Sequence, residues 1–239
     1  MEFSSVASDP HFVVARGLGL NTLRVKGYSG VDLDIAQGSA HALCGEHKCG
    51  KEELLLTLAG RMHRSEGSLR VGGIDANTLR GVDRVRKIAG LGFFEHVNDV
   101  ERVLRVSTVT SAELSLAGKP SRRAATDAYL ERWGLLDVRS ATIEELPAYL
   151  YDRLGIALGM AGDPQVLVVS DIGRDLTDHE SHKLAGELCD LAHTTGTTVV
   201  CGVTDFDLAT CFDGATCLTE DACRQRDAFY RKHDRRRVA

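Results

Sequence analysis

Polar and apolar positions change rhythm several times along the chain, and each change predicts an element. Val31, Leu33 and Ile35 alternate with Asp32, Asp34 and Ala36, the period-two pattern of a half-buried strand. Phe12 to Ala15 is a short apolar run and predicts another strand before it. After a Gly38-Ser39 turn, Ala40 to Cys44 reads as a buried strand, and Glu52 to Ala59 carries leucines at helical spacing. Ser68 to Val71, closed by Gly72-Gly73, and Ile88 to Phe94 predict two more strands. From about Val97 to Leu158 the pattern turns helical, with Ala-rich and Arg-rich segments around Ala124 to Trp133 and Leu150 to Met160.

The pattern then returns to strands. Gly162-Asp163-Pro164 precedes Val166 to Val169, a continuous apolar run of the kind found in a central parallel strand. Ser181 to His193 predicts a helix, and Thr197 to Val203 a further buried strand. Strands alternating with helices, interrupted by a helical block, predict an α/β fold with a parallel central sheet and an inserted α-helical subdomain. The expected division is an α/β core over 1–95 and 159–222, a helical subdomain over 96–158 and a basic tail over 223–239.

Composition narrows this picture only a little. At 239 residues, with 43% hydrophobic and 26% charged positions, the chain is of ordinary globular make-up. It has no apolar stretch near the roughly 20 residues that cross a bilayer and no basic-then-apolar leader pattern, so a cytoplasmic location is the default expectation. The seven cysteines are odd in number and lack C-x-x-C spacing, which predicts reduced thiols over disulfides or zinc. Cys49 is singled out because a helix N-terminus next to it lowers a thiol pKa; the competing reading is a small residue in a tight loop. A net charge of −5 speaks against nucleic-acid binding across the whole surface. Locally, Arg224, Arg226, Arg231, Lys232, Arg235, Arg236 and Arg237 crowd the C-terminus. Such a tail predicts a solvated, frayed end, with an anionic membrane face, an acidic partner or RNA as the second reading.

The candidate chemistry centres on Gly45-Glu46-His47-Lys48-Cys49-Gly50-Lys51-Glu52. Gly45, Gly50 and Lys51 fit the spacing of a phosphate-binding loop, G-x-x-x-x-G-K-[ST], between a strand and a helix. Gly45, Lys48, Cys49, Gly50, Lys51 and Glu52 are therefore the candidate nucleotide-binding residues. Glu52 departs, standing where a Ser or Thr hydroxyl holds Mg²⁺ beside the phosphates.

With Gly38 to Gly60, the turn region Glu66 to Gly73, the approach Ala161 to Val169 and the segment Thr197 to Leu208, the order of features resembles the nucleotide-binding subunit of ATP-binding cassette (ABC) transporters. The resemblance runs from about Phe12 to Leu218. It implies a P-loop NTPase core with an antiparallel β portion near the N-terminus, ATP and Mg²⁺ as cofactors, a membrane permease as partner, a cassette homodimer or heterodimer, and a peripheral place at the inner face of the cell membrane.

Set against that family, the chemistry-bearing positions depart. Lys48 takes a position usually held by Gly. The acidic pair that ends the Walker B strand falls on Ser170 and Asp171, or, one residue later, on Asp171 and Ile172; neither register supplies Asp-Glu. Asp171 is thus the candidate catalytic acid, with a turn-capping acid as the competing reading. The signature L-S-G-G-Q corresponds to Leu146-Pro147-Ala148-Tyr149-Leu150, where Pro147 lacks an N–H and Tyr149 fills space that glycine leaves open. The switch histidine is replaced by Asp205, and the glutamine after the Ile88–Phe94 strand by Glu95. The adenine-stacking aromatic has no counterpart near Leu18 to Asn21, Tyr28 being displaced toward the next strand. His41, His47, His63 and His96 show no metal-ligand spacing, and Trp133 with Leu130 and Leu135 is expected to pack the helical block.

These losses predict a degenerate cassette with weak or no ATP hydrolysis that binds nucleotide weakly or not at all, with no resident metal, and that pairs with a permease and with itself or a more complete cassette. The alternatives are a slow Mg²⁺-dependent ATPase and a non-transport scaffold making protein or RNA contacts through the basic tail.

Overall fold

Two sheets share one helix between them. The computed structural model describes residues 11–21 and 27–234. β1 (His11–Gly19) pairs antiparallel with β2 (Val31–Ala36). After β3 (Ala40–Cys44), the chain returns as β4 (Glu66–Val71) and β5 (Ile74–Asp75), giving an antiparallel sheet in the order β2-β1-β4-β5. Val31, Leu33 and Ile35 are buried while Asp32 and Asp34 face outward, where they accept from the Gly17 N–H and pair with Arg16.

The second sheet is parallel. β6 (Ala89–Leu91), β7 (Val166–Ile172), β8 (Thr198–Val203), β3 and β9 (Gly214–Cys217) lie in the order β6-β7-β8-β3-β9. Val166 and Val168 of β7 enter one core with the first sheet and α1 (Lys51–Leu58). Leu167 and Val169 enter a second core under α6 (Asp178–Thr195). Burial on both faces is why β7 and β8 read as unbroken apolar runs.

Around residue 88 the elements differ from expectation. Ile88 closes α2 (Leu79–Ile88), capped by Thr78, whose hydroxyl accepts from the Gly81 N–H at 3.0 Å, so the strand expected over Ile88 to Phe94 shrinks to β6. Val82 and Val85 are the buried face of a helix otherwise crowded with Arg, Asp and Lys, too sparse a stripe to announce itself.

In the helical block, α3 (Val106–Leu116), α4 (Arg123–Arg132) and α5 (Ala148–Gly159) share a core of Val106, Val109, Leu130, Leu135, Ile143 and Leu154. Trp133 packs against it, as its leucine neighbours suggest. α5 is pressed onto β6: a Cβ on Gly159 would lie 2.4 Å from the Leu91 carbonyl oxygen, and one on Gly90 2.1 Å from that of Gly159. Contact that close fixes the height of α5 over the sheet, and with it Tyr149 and Asp152.

The chain continues through α6, which carries a Thr177/Glu180 capping box, to α7 (Phe206–Ala209) and α8 (Glu220–Asp234). The basic end was expected to fray; instead Arg224, Arg226, Arg231 and Lys232 lie on α8, which packs Ala222 into the core. Arg235, Arg236 and Arg237 lie outside the described residues.

Candidate nucleotide site

β3 delivers the chain into the loop at Gly45, whose N–H donates to the Val203 carbonyl at 3.1 Å. Lys48 has φ 61°, so the position where the family carries glycine keeps a left-handed backbone with a side chain on it. That conformation costs an L-residue about 1 kcal/mol. A Cβ on Gly50 would lie 2.6 Å from the Gly27 carbonyl carbon, so the backbone at Gly27 and Tyr28 lies directly on the loop. Tyr28 itself is buried, and its hydroxyl donates to Thr57 Oγ1 at 2.8 Å; it is a core residue. Burial pushes the Cys49 thiol up, against the lowering expected from a helix N-terminus, because loss of hydration outweighs the backbone donors. The seven cysteines are free, as their spacing predicted.

The lysine of the loop points inward. Lys51 Nζ donates to the Gly45 carbonyl at 2.8 Å, the Val203 carbonyl at 2.9 Å and Asp171 Oδ2 at 2.9 Å. Three strong acceptors match the three protons of an ammonium. The two side chains are 3% and 2% exposed, so this is a buried ion pair. Thr204 Oγ1 also donates to Asp171 Oδ2, at 2.8 Å, and His47 Nδ1 stands 3.5 Å from it. Asp171 Oδ1 is buried without a hydrogen-bond partner. Asp171 is therefore the counter-ion of Lys51; the turn-capping reading of it is corrected by this geometry.

Residue 170 has no partner on β8: Val169 pairs with Cys201 and Asp171 with Gly202, a bulge of one residue. The bulge lets consecutive side chains face the loop together, Ser170 toward Glu52 at 3.4 Å and Asp171 toward Lys51. Glu52 is met from the other side by Arg174, whose Nη2 lies 3.4 Å from Glu52 Oε1 while its Nη1 lies 3.3 Å from Glu95 Oε2. These residues line a cavity of about 250 Å³ together with Asp99, Arg102, Asp152, Asp171 and Asp175. Burial, reinforced by the Asp175 carboxylate, pushes Asp152 up to about 7.

The signature and switch positions are occupied by structure. Pro147 is the N-cap of α5 and Ala148 its first residue. Tyr149 packs into the core under α6, its hydroxyl donates to Glu187 Oε1 at 2.8 Å, and Lys183 Nζ sits 4.8 Å over its ring. Asp205 caps α7, its Oδ1 accepting from the Asp207 N–H at 3.1 Å. The structure thus brings Lys51, Glu52, Ser170, Asp171 and Glu95 together, while Pro147, Ala148, Tyr149 and Asp205 hold helix ends and packing. Sequence reasoning missed Arg174, Asp152 and Asp175. Arg174 and Asp175 lie just after the Walker B positions; Asp152, half-buried on α5, carried no local signal.

Electrostatically the site is a loop with its ammonium neutralised and an acidic cavity beside it. Among the described residues no three His, Cys, Asp or Glu side chains converge as a metal-binding set. The carboxylates nearest the position expected for Mg²⁺, Glu52 and Glu95, face a guanidinium.

The sequence pattern of the ABC transporter family matches residues 28–171, more than half of the chain. The chain is an ABC transporter family member. A methionine import ATP-binding protein of Burkholderia mallei is 30% identical over 177 residues, 71% of this chain and 43% of that protein. A phosphonates import ATP-binding protein of a Synechococcus species is 27% identical over 191 residues, 75% of this chain and 71% of that protein. The chain thus spans under half the length of that methionine relative. Among solved structures, cbiO1 from Clostridium perfringens, part of an ABC transporter complex, superposes with TM-score 0.73 at 18% identity, covering 89% of this chain and 86% of its own. The ATP-binding cassette MJ0796, a dimer bound to ADP and Pi, gives 0.73 at 18% identity over 87% and 94% of the two chains. At that identity the likeness establishes the cassette fold, including its parallel and antiparallel sheets. Among the described residues of this ABC cassette no helix is long and apolar enough to cross a membrane.

Proposed function

We propose that this ABC cassette is the non-hydrolysing partner in a transport assembly, binding nucleotide weakly or not at all and supplying dimer geometry to a second cassette and a membrane permease. One observation carries the reading: the ammonium of Lys51, which in a phosphate loop meets phosphate oxygens, is spent in a buried pair with Asp171 and on two carbonyls. Engaging a phosphate means breaking that pair. Glu52, Glu95 and Asp205 add negative charge around the same loop, which raises the cost of a polyphosphate there. Tyr149 and Pro147 leave no glycine amides at the signature for a partner's phosphate.

The helical block over 96–158 is the part that docks on the permease. A cleft of about 660 Å³ between it and the core, lined by Leu91, Phe93, Val97, Val100 and Leu116, supports this assignment, Val97 and Leu116 being exposed apolar residues. The assembly places the protein at the inner face of the membrane. The ATP-binding roles in the names of the import relatives support transport as its setting.

A slow Mg²⁺-dependent ATPase is the second reading. Glu52 and Ser170 favour it, because a carboxylate and a hydroxyl still face each other across the loop. Calorimetric titration of the purified chain with ATP and Mg²⁺, together with a phosphate-release assay, decides between them. A flat trace and no release are expected. Mg²⁺-dependent turnover by the chain alone overturns the proposed function in favour of the ATPase.

A further inference from the structure

The arginine beside the loop makes an arrangement of its own. Arg174, in the turn after β7, sends one Nη to Glu52 on α1 and the other to Glu95 after β6, at 3.4 and 3.3 Å, spanning the mouth of the acidic cavity. We propose that the Arg174 guanidinium is a tethered counter-cation that takes the place of a divalent metal at this loop and makes the cassette indifferent to Mg²⁺. The inference deepens the proposed function and rests on it.

Three observations carry it. The fork of a guanidinium addresses two acceptors from fixed directions, and here the two acceptors come from different elements that a metal would otherwise have to join. Glu52 Oε1 is the oxygen shared by Ser170 and Arg174, so a metal bound through that oxygen has to displace the arginine. Magnesium requires near-octahedral oxygen ligands at about 2.0–2.1 Å, a set that these side chains form only by collapsing onto the volume Arg174 now holds. The charges point the same way. Glu52, Glu95, Asp99, Asp152, Asp171 and Asp175 line the cavity against Arg102 and Arg174, and the ammonium of Lys51 is already matched by Asp171. Removing Arg174 makes an already acidic cavity more so, at the two carboxylates it now bridges.

The pair is open to solvent, Arg174 being 43% exposed, so its removal leaves the fold in place. This makes a direct test possible with metal alone. Mn²⁺ is titrated into the wild-type chain, Arg174→Ala and Arg174→Ala/Glu52→Gln without nucleotide, and free Mn²⁺ is read by electron paramagnetic resonance, with thermal melts to confirm folding. Arg174→Ala is expected to take up one Mn²⁺ about tenfold or more tighter than wild type, and the double variant to return to the wild-type curve. Equal uptake by wild type and Arg174→Ala, no uptake by Arg174→Ala, or uptake by the double variant matching the single one overturns the inference. The outcome is separable from the function test. ATP turnover that does not require Mg²⁺, with the expected Mn²⁺ curves, removes the proposed function and keeps the counter-cation, whereas Mg²⁺-dependent turnover removes both.

Discussion

Lys51–Asp171 and Arg174–Glu52 are both acid–base pairs at the start of α1, and they differ mainly in their access to water. The first is 3% and 2% exposed and closed by two carbonyls and a threonine. The second is 43% and 42% exposed, with a contact of 3.4 Å. Water sets what each can do. A buried pair cannot be half-removed without leaving a bare charge in the interior, so it serves the fold. An exposed pair is screened and cheap to break, so it sets local charge with little effect on stability. Asp152 lies between these extremes, half-buried, with no cation of its own.

The largest effect is expected where the buried pair is broken. Lys51→Met or Asp171→Ala alone should each lower unfolding free energy by about 3–5 kcal/mol, measured by urea denaturation, while Lys51→Met/Asp171→Ala loses distinctly less than the two single losses combined. Additive losses would remove the contrast with Arg174. In an ordinary phosphate loop the lysine is needed for ligand and not for folding, so this measurement separates the two uses of one residue.

A middle effect belongs to Asp152. Its carboxyl keeps a proton up to about pH 7 in the folded chain, whereas an unfolded Asp releases it near 3.8. Between those values the folded state binds more protons, so stability falls as pH rises, and the full penalty is present above about pH 7. Asp152→Asn should therefore be more stable than wild type by about 2 kcal/mol at pH 8, after allowance for partial exposure, and lose that advantage near pH 4. His41, which burial pulls down to about 4, acts in the opposite sense, losing stability as pH falls below 6.5. Taking the difference between variant and wild type at each pH cancels its contribution. A pH-independent difference would place Asp152 with the exposed group.

The smallest effect is expected at Arg174. Arg174→Ala should change unfolding free energy by less than about 1 kcal/mol; a loss comparable to that of Asp171→Ala would erase the difference between the buried and the exposed pair.

Most of the fold was legible because periodicity and burial agree. β2 alternates, β7 and β8 run apolar, and α6 has both a capping box and a left-handed Gly196 at its end. α2 and α8 were not read, one for its thin apolar stripe and the other because its arginines suggest solvent before they suggest a helix. The site was legible as a set of positions and not as a set of bonds. Lys51 and Glu52 were named from loop spacing, Ser170, Asp171 and Glu95 from the family resemblance, and they converge. That Lys51 turns inward depends on the Val203 carbonyl, 152 residues away in the chain, and no local pattern carries that information. Asp205 and Tyr149 were read by what they displace, whereas their contacts give them work of their own at a helix cap and an interhelical hydrogen bond.

The bulge at residue 170 has a consequence for how such a cassette changes over time. An unbroken strand would send neighbouring side chains to opposite faces of the sheet, whereas here two consecutive positions are presented to one loop. The backbone thus stores an address for a pair of groups independently of what the groups are. Exchanges at 170 and 171 rewrite the charge delivered to that address while the strand stays where it is, which leaves the loss of a paired acid, and its return, within reach of a few codon changes.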